Sequence, residues 1–161
     1  MTSPSDLIAE FFVGGLVRPQ PRAQPGRGGH VIMATAAHGI REWRSYIHAE
    51  GQRAMNGRPP YTGAIRAEAV FRFPRPETLL KRRGWDPTAK TTKPDLKNIL
   101  TALEDALNMV VWADDCQITT WVIRKRYVLE HEPPGVMVRV LRETYGQEKR
   151  NPRCRDAAGA G

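Results

Sequence analysis

Two rhythms of apolar and polar positions run along this chain and predict most of its elements. From Ala64 to Phe73 the residues Ile65, Ala67, Ala69 and Phe71 share one face while Arg66, Glu68 and Arg72 lie largely on the other, the period of a half-exposed strand. Leu7 to Val13, a short Val31 to Ala34, Cys116 to Tyr127 and Gly135 to Leu141 read as further strands. The second rhythm is helical. Ile40, Trp43, Ile47 and Ala54 recur at helical spacing from Gly39 towards Met55, with Trp43 and Ile47 expected in the core. Leu96, Ile99, Leu100, Leu103, Ala106, Leu107, Val110 and Val111 trace one side of a helix of about four turns, opposite Lys97, Thr101, Glu104, Asp105 and Asn108.

Between these elements lie a Pro-, Arg- and Gly-rich loop from Gly14 to His30, carrying Arg18, Arg22 and Arg27, and a turn from Gly57 to Gly63. Pro74 to Lys93 holds Pro74, Pro76, Gly84 and Pro87 amid Lys81, Arg82, Arg83, Lys90 and Lys93, and reads as a mobile basic connection. No internal repeat interrupts the pattern. One domain is expected over residues 1–145, with a flexible basic tail over 146–161.

Composition narrows the class. A hydrophobic fraction of 40% and a charged fraction of 26% suit a globular protein, and no apolar run nears the roughly 20 residues of a membrane span. Met1 to Glu10 lacks the basic start and long apolar stretch of a secretory signal, so a cytoplasmic location is expected. Cys116 and Cys154 form no CxxC pair and share no zinc-ligand spacing with His30, His38, His48 or His131, which predicts free thiols.

Charge changes the picture more. The net charge of +8 favours a polyanionic partner. It is unevenly spread, because residues 95–115 contain Lys97 against Asp95, Glu104, Asp105, Asp114 and Asp115, a local −4 within a chain otherwise carrying +12. An acidic island in a basic chain suits a protein that holds nucleic acid with its cations and gathers carboxylates around metal ions; a solvated acidic helix suits it equally. Asp95 opens the long helix and Asp114-Asp115 open the strand that follows. If those ends meet, the carboxylates would hold Mg²⁺ or Mn²⁺, hard ions that activate water beside a phosphodiester. Taken singly, Asp95 also reads as an ordinary N-cap and Asp114-Asp115 as an ordinary turn.

Three blocks in order carry a resemblance: Lys93-Pro94-Asp95-Leu96-Lys97-Asn98, Asp105-Ala106-Leu107-Asn108, and Trp112-Ala113-Asp114-Asp115-Cys116-Gln117-Ile118. Their spacing resembles the core of the RusA family of Holliday-junction resolvases, whose pattern runs K/R-P/R-D-x-D-N, a Lys one turn on, D-A-L, then D-D-x-Q-V/I. Phe12-Val13-Gly14, Phe71-Arg72-Phe73-Pro74 and Arg124-Lys125-Arg126-Tyr127 resemble the family's flanking segments, so the similarity spans roughly residues 7–141. It implies an α/β fold of the α+β type, a small mixed sheet packed against two main helices. It also implies a homodimer that makes paired nicks in four-way junctions, with Mg²⁺ or Mn²⁺ held by aspartates. Asp95 matches the first catalytic aspartate, Asp115 the last, and Asp114 is expected to assist.

Two positions depart from the pattern. Lys97 stands where the family has a second aspartate, and Thr101 where it has a catalytic lysine. An ammonium about 4 Å from a divalent ion costs roughly 8 kcal/mol at an effective dielectric near 20, so Lys97 is excluded from a close metal shell. One turn before Thr101 on the same face, Lys97 would instead take over the lysine's work and stabilise charge on the scissile phosphate. Lys93, Asn98, Arg124, Lys125 and Arg126 are the expected DNA contacts, followed by Arg18, Arg22, Lys81, Arg82 and Arg83, with Trp85 a stacking candidate. The alternative is a catalytically impaired relative that binds branched DNA without cutting it. A small basic ribonucleoprotein component would explain the charge but not the order of the three blocks.

Overall fold

The strand whose alternation is clearest, Ile65–Phe73, lies inside the principal sheet. In the computed structural model, which describes residues 6–21, 23–25, 31–33, 39–80 and 89–144, the order is β1 (Leu7–Gly14), β2 (Ala23–Pro25), β3 (Val31–Met33), α1 (Ile40–Met55), β4 (Ile65–Phe73), α2 (Glu77–Leu80), α3 (Leu96–Leu107), β5 (Ile118–Tyr127) and β6 (Gly135–Arg142). Four of these strands form a sheet in the order β1-β6-β4-β5. β6 is antiparallel to both β1 and β4, whereas β4 and β5 run parallel, with α3 inside the connection between them. This is the expected small mixed sheet with two main helices.

One face of the sheet carries the core. β4 buries Ile65, Ala67, Ala69, Phe71 and Phe73, and β6 buries Val136, Val138 and Val140. α1 brings Trp43 and Ile47 to the same core, and α3 brings Ile99, Leu103 and Leu107. α1 packs on β1 and α3, and α3 also touches β5. Gly51 in the middle of α1 has a packing reason: a Cβ there would lie 2.8 Å from Leu107 Cδ2 and 3.3 Å from Val110 Cγ1. The opposite face mixes polar and apolar residues: Arg139 Nε donates to Glu10 across one strand pair at 3.0 Å and Arg139 lies 3.5 Å from Glu68 across the other, beside Phe12, Val70 and Met137.

The structure differs from the sequence pattern in several places, among them the short helix α2 inside the stretch from Pro74 to Lys93 read as a mobile connection. α3 ends at Leu107, although Val110 and Val111 continue its apolar stripe. Asn108 is extended and Met109 has φ 62°, so the chain turns back and Met109 N–H donates to the Trp112 carbonyl at 2.8 Å. Val110 and Val111 stay buried without being helical, because burial of that turn needs the same residue types. Within the proline-rich loop, Ala23–Pro25 is a strand the pattern did not predict, paired antiparallel with the expected short strand at Val31–Met33; three residues are too few to show alternation. The Asp114-Asp115 region does not run straight into a strand, since Asp115–Gln117 forms a turn of 3-10 helix first. Arg22, Arg27, His30, His38, Lys81, Arg82, Arg83, Trp85, Cys154 and the tail 146–161 lie outside the described residues.

Candidate active site

Asp95 is placed by a short segment held on both flanks. It is extended, with φ −69° and ψ 143°, and its carbonyl accepts the first N–H groups of α3, from Asn98 at 3.1 Å and Ile99 at 3.3 Å. Its side chain makes no cap hydrogen bond, so the backbone opens this helix and the N-cap reading does not explain the carboxylate. Gln20 N–H donates to the Asn98 carbonyl at 2.9 Å, which docks the loop after β1 onto the first turn of α3. A cavity of about 500 Å³ results, lined by Arg18, Lys93, Asp95 and Asn98 with apolar walls from Val17 and Pro94. Four residues singled out from sequence thus meet there, one of them from a distant segment. Two cations and one carboxylate share one opening in the surface.

Asp114 and Asp115 sit at the foot of β5, outside that cavity lining. Asp114 Oδ1 accepts from Cys116 N–H at 2.9 Å, and Gln117 Oε1 accepts from Asp114 N–H at 2.8 Å, a reciprocal capping box. Gln117 Nε2 then donates to the Tyr61 and Gly63 carbonyls, both at 2.9 Å, which fastens the turn to the segment before β4. The bond from Cys116 N–H holds the Asp114 carboxyl below its usual range, and its partnership with Asp114 pushes the exposed Cys116 thiol up. Cys116 is therefore a poor thiolate. Asp115 is exposed on the same turn.

Glu104, near the end of α3, lies within electrostatic reach of Asp115 and of Asp105. Burial raises its pKa most, the neighbouring carboxylates add to the rise, and the Trp121 indole opposes it. Trp121 Nε1 is buried and makes no hydrogen bond of full geometry. Nine residues of helix, about 13 Å of rise, separate Glu104 from Asp95. Asp95 and Asp115 accordingly stand near opposite ends of α3, and Lys97 and Thr101 lie on it between them. Thr101 Oγ1 donates to the Lys97 carbonyl at 3.0 Å, turning the hydroxyl into its own helix, while Lys97 is exposed.

The cations at the end of β5 divide into two kinds. Arg124 is exposed. Lys125 Nζ donates to the Thr92 carbonyl at 2.9 Å and the Pro94 carbonyl at 2.8 Å. Arg126 forms a two-pronged pair with Glu132, at 2.5 and 2.8 Å, and Arg72 lies 3.8 Å from the same carboxylate. Arg126, with further help from the Leu129 N–H and Arg72, holds the Glu132 carboxyl down at about 2. Because the folded value lies below the ordinary 4.5, this pair stabilises the fold above that pH and loses its effect as pH falls towards 2. Glu132→Gln is expected to cost roughly 2 kcal/mol at neutral pH and almost nothing near pH 2, read from urea unfolding at both pH values. An equal loss at both would show that charge is not what holds this turn.

Hard divalent ions take oxygen ligands, and Mg²⁺ commonly uses one or two carboxylates, waters and substrate phosphates. Among the described residues no three Asp, Glu, His or Cys side chains gather closely enough to hold a metal by themselves. The ends that carry Asp95 and Asp115 do not meet in the chain, because Asp95 lies beside Lys125 at the far end of β5 while Asp115 precedes its start; each carboxylate fits such an ion only with waters and DNA phosphate oxygens completing the shell. Sequence reasoning missed Gln117, although the Asp-x-x-Gln spacing of a capping box announces it. It also missed that Lys125 and Arg126 have partners inside the fold, which no spacing reveals.

No curated protein matches the chain. Residues 15–141 match the family model described as endodeoxyribonuclease RusA, a stretch that takes in the loop bearing Arg18, the α3 entry at Asp95 and the Asp114-Asp115 turn. With most of its length inside that match, the chain belongs to the RusA family of endodeoxyribonucleases.

Proposed function

We propose that this protein is a divalent-metal-dependent nuclease that cuts four-way junctions and other branched DNA by paired nicks, acting as a homodimer. The observation that carries the reading is the cavity in which Asp95 stands with Arg18, Lys93 and Asn98 in a chain of this family. Arg18 and Lys93 bind the backbone phosphates on either side of the cut, Arg124 extends that track, and Arg22 from the same loop as Arg18 is assigned with them. Asn98 orients the nucleotide through its amide. Asp95 in the cavity, and separately Asp115 with Asp114 beside it at the other end of α3, would each offer carboxylate oxygens to Mg²⁺ or Mn²⁺, which when bound supplies an activated water and neutralises phosphate charge. Lys97 stabilises negative charge on the scissile phosphate in place of the lysine that Thr101 replaces. A two-fold junction needs two symmetric sites, hence the dimer. Among the described residues no helix is long and apolar enough to cross a membrane, which agrees with action on DNA in the cytoplasm.

Incubation of the purified protein with an end-labelled four-way junction and Mg²⁺ or Mn²⁺ tests the proposal: symmetric nicks in opposing strands are expected, against little cutting of linear duplex. The exposed Lys97 and the inward-bonded Thr101 favour a second reading, a branch-binding protein that does not cut. Tight, salt-sensitive junction binding with no nicks under either metal would establish that one instead.

A further inference from the structure

We infer that Lys125 is a positioning residue for Asp95 rather than a contact to DNA, an inference that rests on the proposed role of Asp95. The Pro94 carbonyl belongs to the peptide unit whose nitrogen is that of Asp95, so the bond from Lys125 Nζ at 2.8 Å fixes the plane leading directly into Asp95. A second bond, to the Thr92 carbonyl at 2.9 Å, holds the same segment two residues earlier. On the other side the Asp95 carbonyl is tied to α3 through Asn98 and Ile99. Asp95 is thereby anchored to the sheet on one flank and to the helix on the other.

The rest of the segment supports the anchoring. Ala89 bridges Arg126, and Lys90 N–H donates to the Lys125 carbonyl at 3.2 Å, so residues 89–90 lie along the outer edge of β5. The Lys90 ammonium sits 5.1 Å from the Phe73 ring centre and 5.4 Å from that of Tyr127, and it donates to Thr92 Oγ1 at 2.5 Å. Lys125 thus works from a strand edge already paired to this segment. An ammonium has three donors; two serve carbonyls here, and a phosphate contact would have to compete with them. Arg124, next to it in the chain, is exposed where Lys125 is half-buried.

The test compares Lys125→Met, which keeps the apolar stem, with Lys125→Arg, whose guanidinium can still donate to two carbonyls. Three quantities are read: single-turnover junction cleavage with Mg²⁺, metal-free junction affinity across salt concentration, and amide exchange in residues 95–99 of the protein alone. Lys125→Met is expected to slow cleavage about 10–100-fold, leave affinity and its salt dependence unchanged, and speed exchange at the start of α3. Lys125→Arg is expected to restore most of the rate. A salt slope reduced by about one with the cleavage rate intact would make Lys125 a phosphate contact and overturn the inference. Unchanged cleavage and exchange would overturn it as well. If Asp95→Asn cleaves like the parent, the role of Asp95 falls, and the exchange readout still decides whether Lys125 holds the segment.

Discussion

Asp95→Asn and Asp115→Asn are each expected to slow single-turnover junction cleavage by about 10³-fold or more while leaving metal-free junction affinity within a few-fold. The amide keeps the shape of the carboxylate and removes the charge that a hard divalent ion needs. Asp95 lines the cavity with Arg18 and Lys93, so losing its charge also removes repulsion towards the DNA backbone, and binding is expected to hold or tighten. Asp114 provides an internal contrast. Its carboxylate already accepts from Cys116 N–H within a capping box, a bond that an amide oxygen can keep, so Asp114→Asn should change both the turn and the chemistry little. The ordering of the three variants is therefore diagnostic, with Asp95 and Asp115 well below Asp114. Parent-level cutting by either of the first two would remove that aspartate from the reaction.

The second large effect is on stability. Gly135 opens β6 with φ 150°, and a Cβ there would lie 2.1 Å from the Val13 carbonyl oxygen and 2.8 Å from Phe12 Cζ. The first of these is backbone, in the β1 strand paired with it through Gly14↔Gly135, so relief requires moving a strand. Gly135→Ala is expected to cost about 3–5 kcal/mol, combining backbone strain with overpacking, and to lower Tm by on the order of 10 °C. Typical domains have only about 5–15 kcal/mol in total. A thermal shift under 2 °C would mean that β1 and β6 can separate here at little cost.

Much of the fold can be read from residues because burial imposes a period. β4 alternates as expected and buries all five residues of its inner face, and α1 covers the helix anticipated from Ile40, Trp43 and Ile47. The extent of α3 was not legible, since a buried turn at Val110 and Val111 requires the same side chains as another helical turn would. β3 was anticipated at Val31, but its partner β2 escaped notice because three residues inside a proline-rich loop are too few for a rhythm.

At the site, the residues that bear chemistry are named by type and order: Asp95, Asn98, Asp114 and Asp115 stand in blocks that resemble one family, and the family match spans them. Which cations remain available is another matter. Arg124, Lys125 and Arg126 are three consecutive basic residues that sequence treats alike. Tertiary structure gives Lys125 two carbonyls and Arg126 a carboxylate, and leaves Arg124 exposed. Likewise only folding carries Arg18 to Asp95, through the bond from Gln20 to Asn98, and lays Asp115 near Glu104 at the far end of α3. Periodicity and motif order are local properties of a chain, so sequence determines elements, family and the cast of reactive groups. Partner choice depends on which backbone and side-chain atoms arrive within about 3 Å of one another, and contacts between positions far apart in the chain are settled only when the sheet and helices pack.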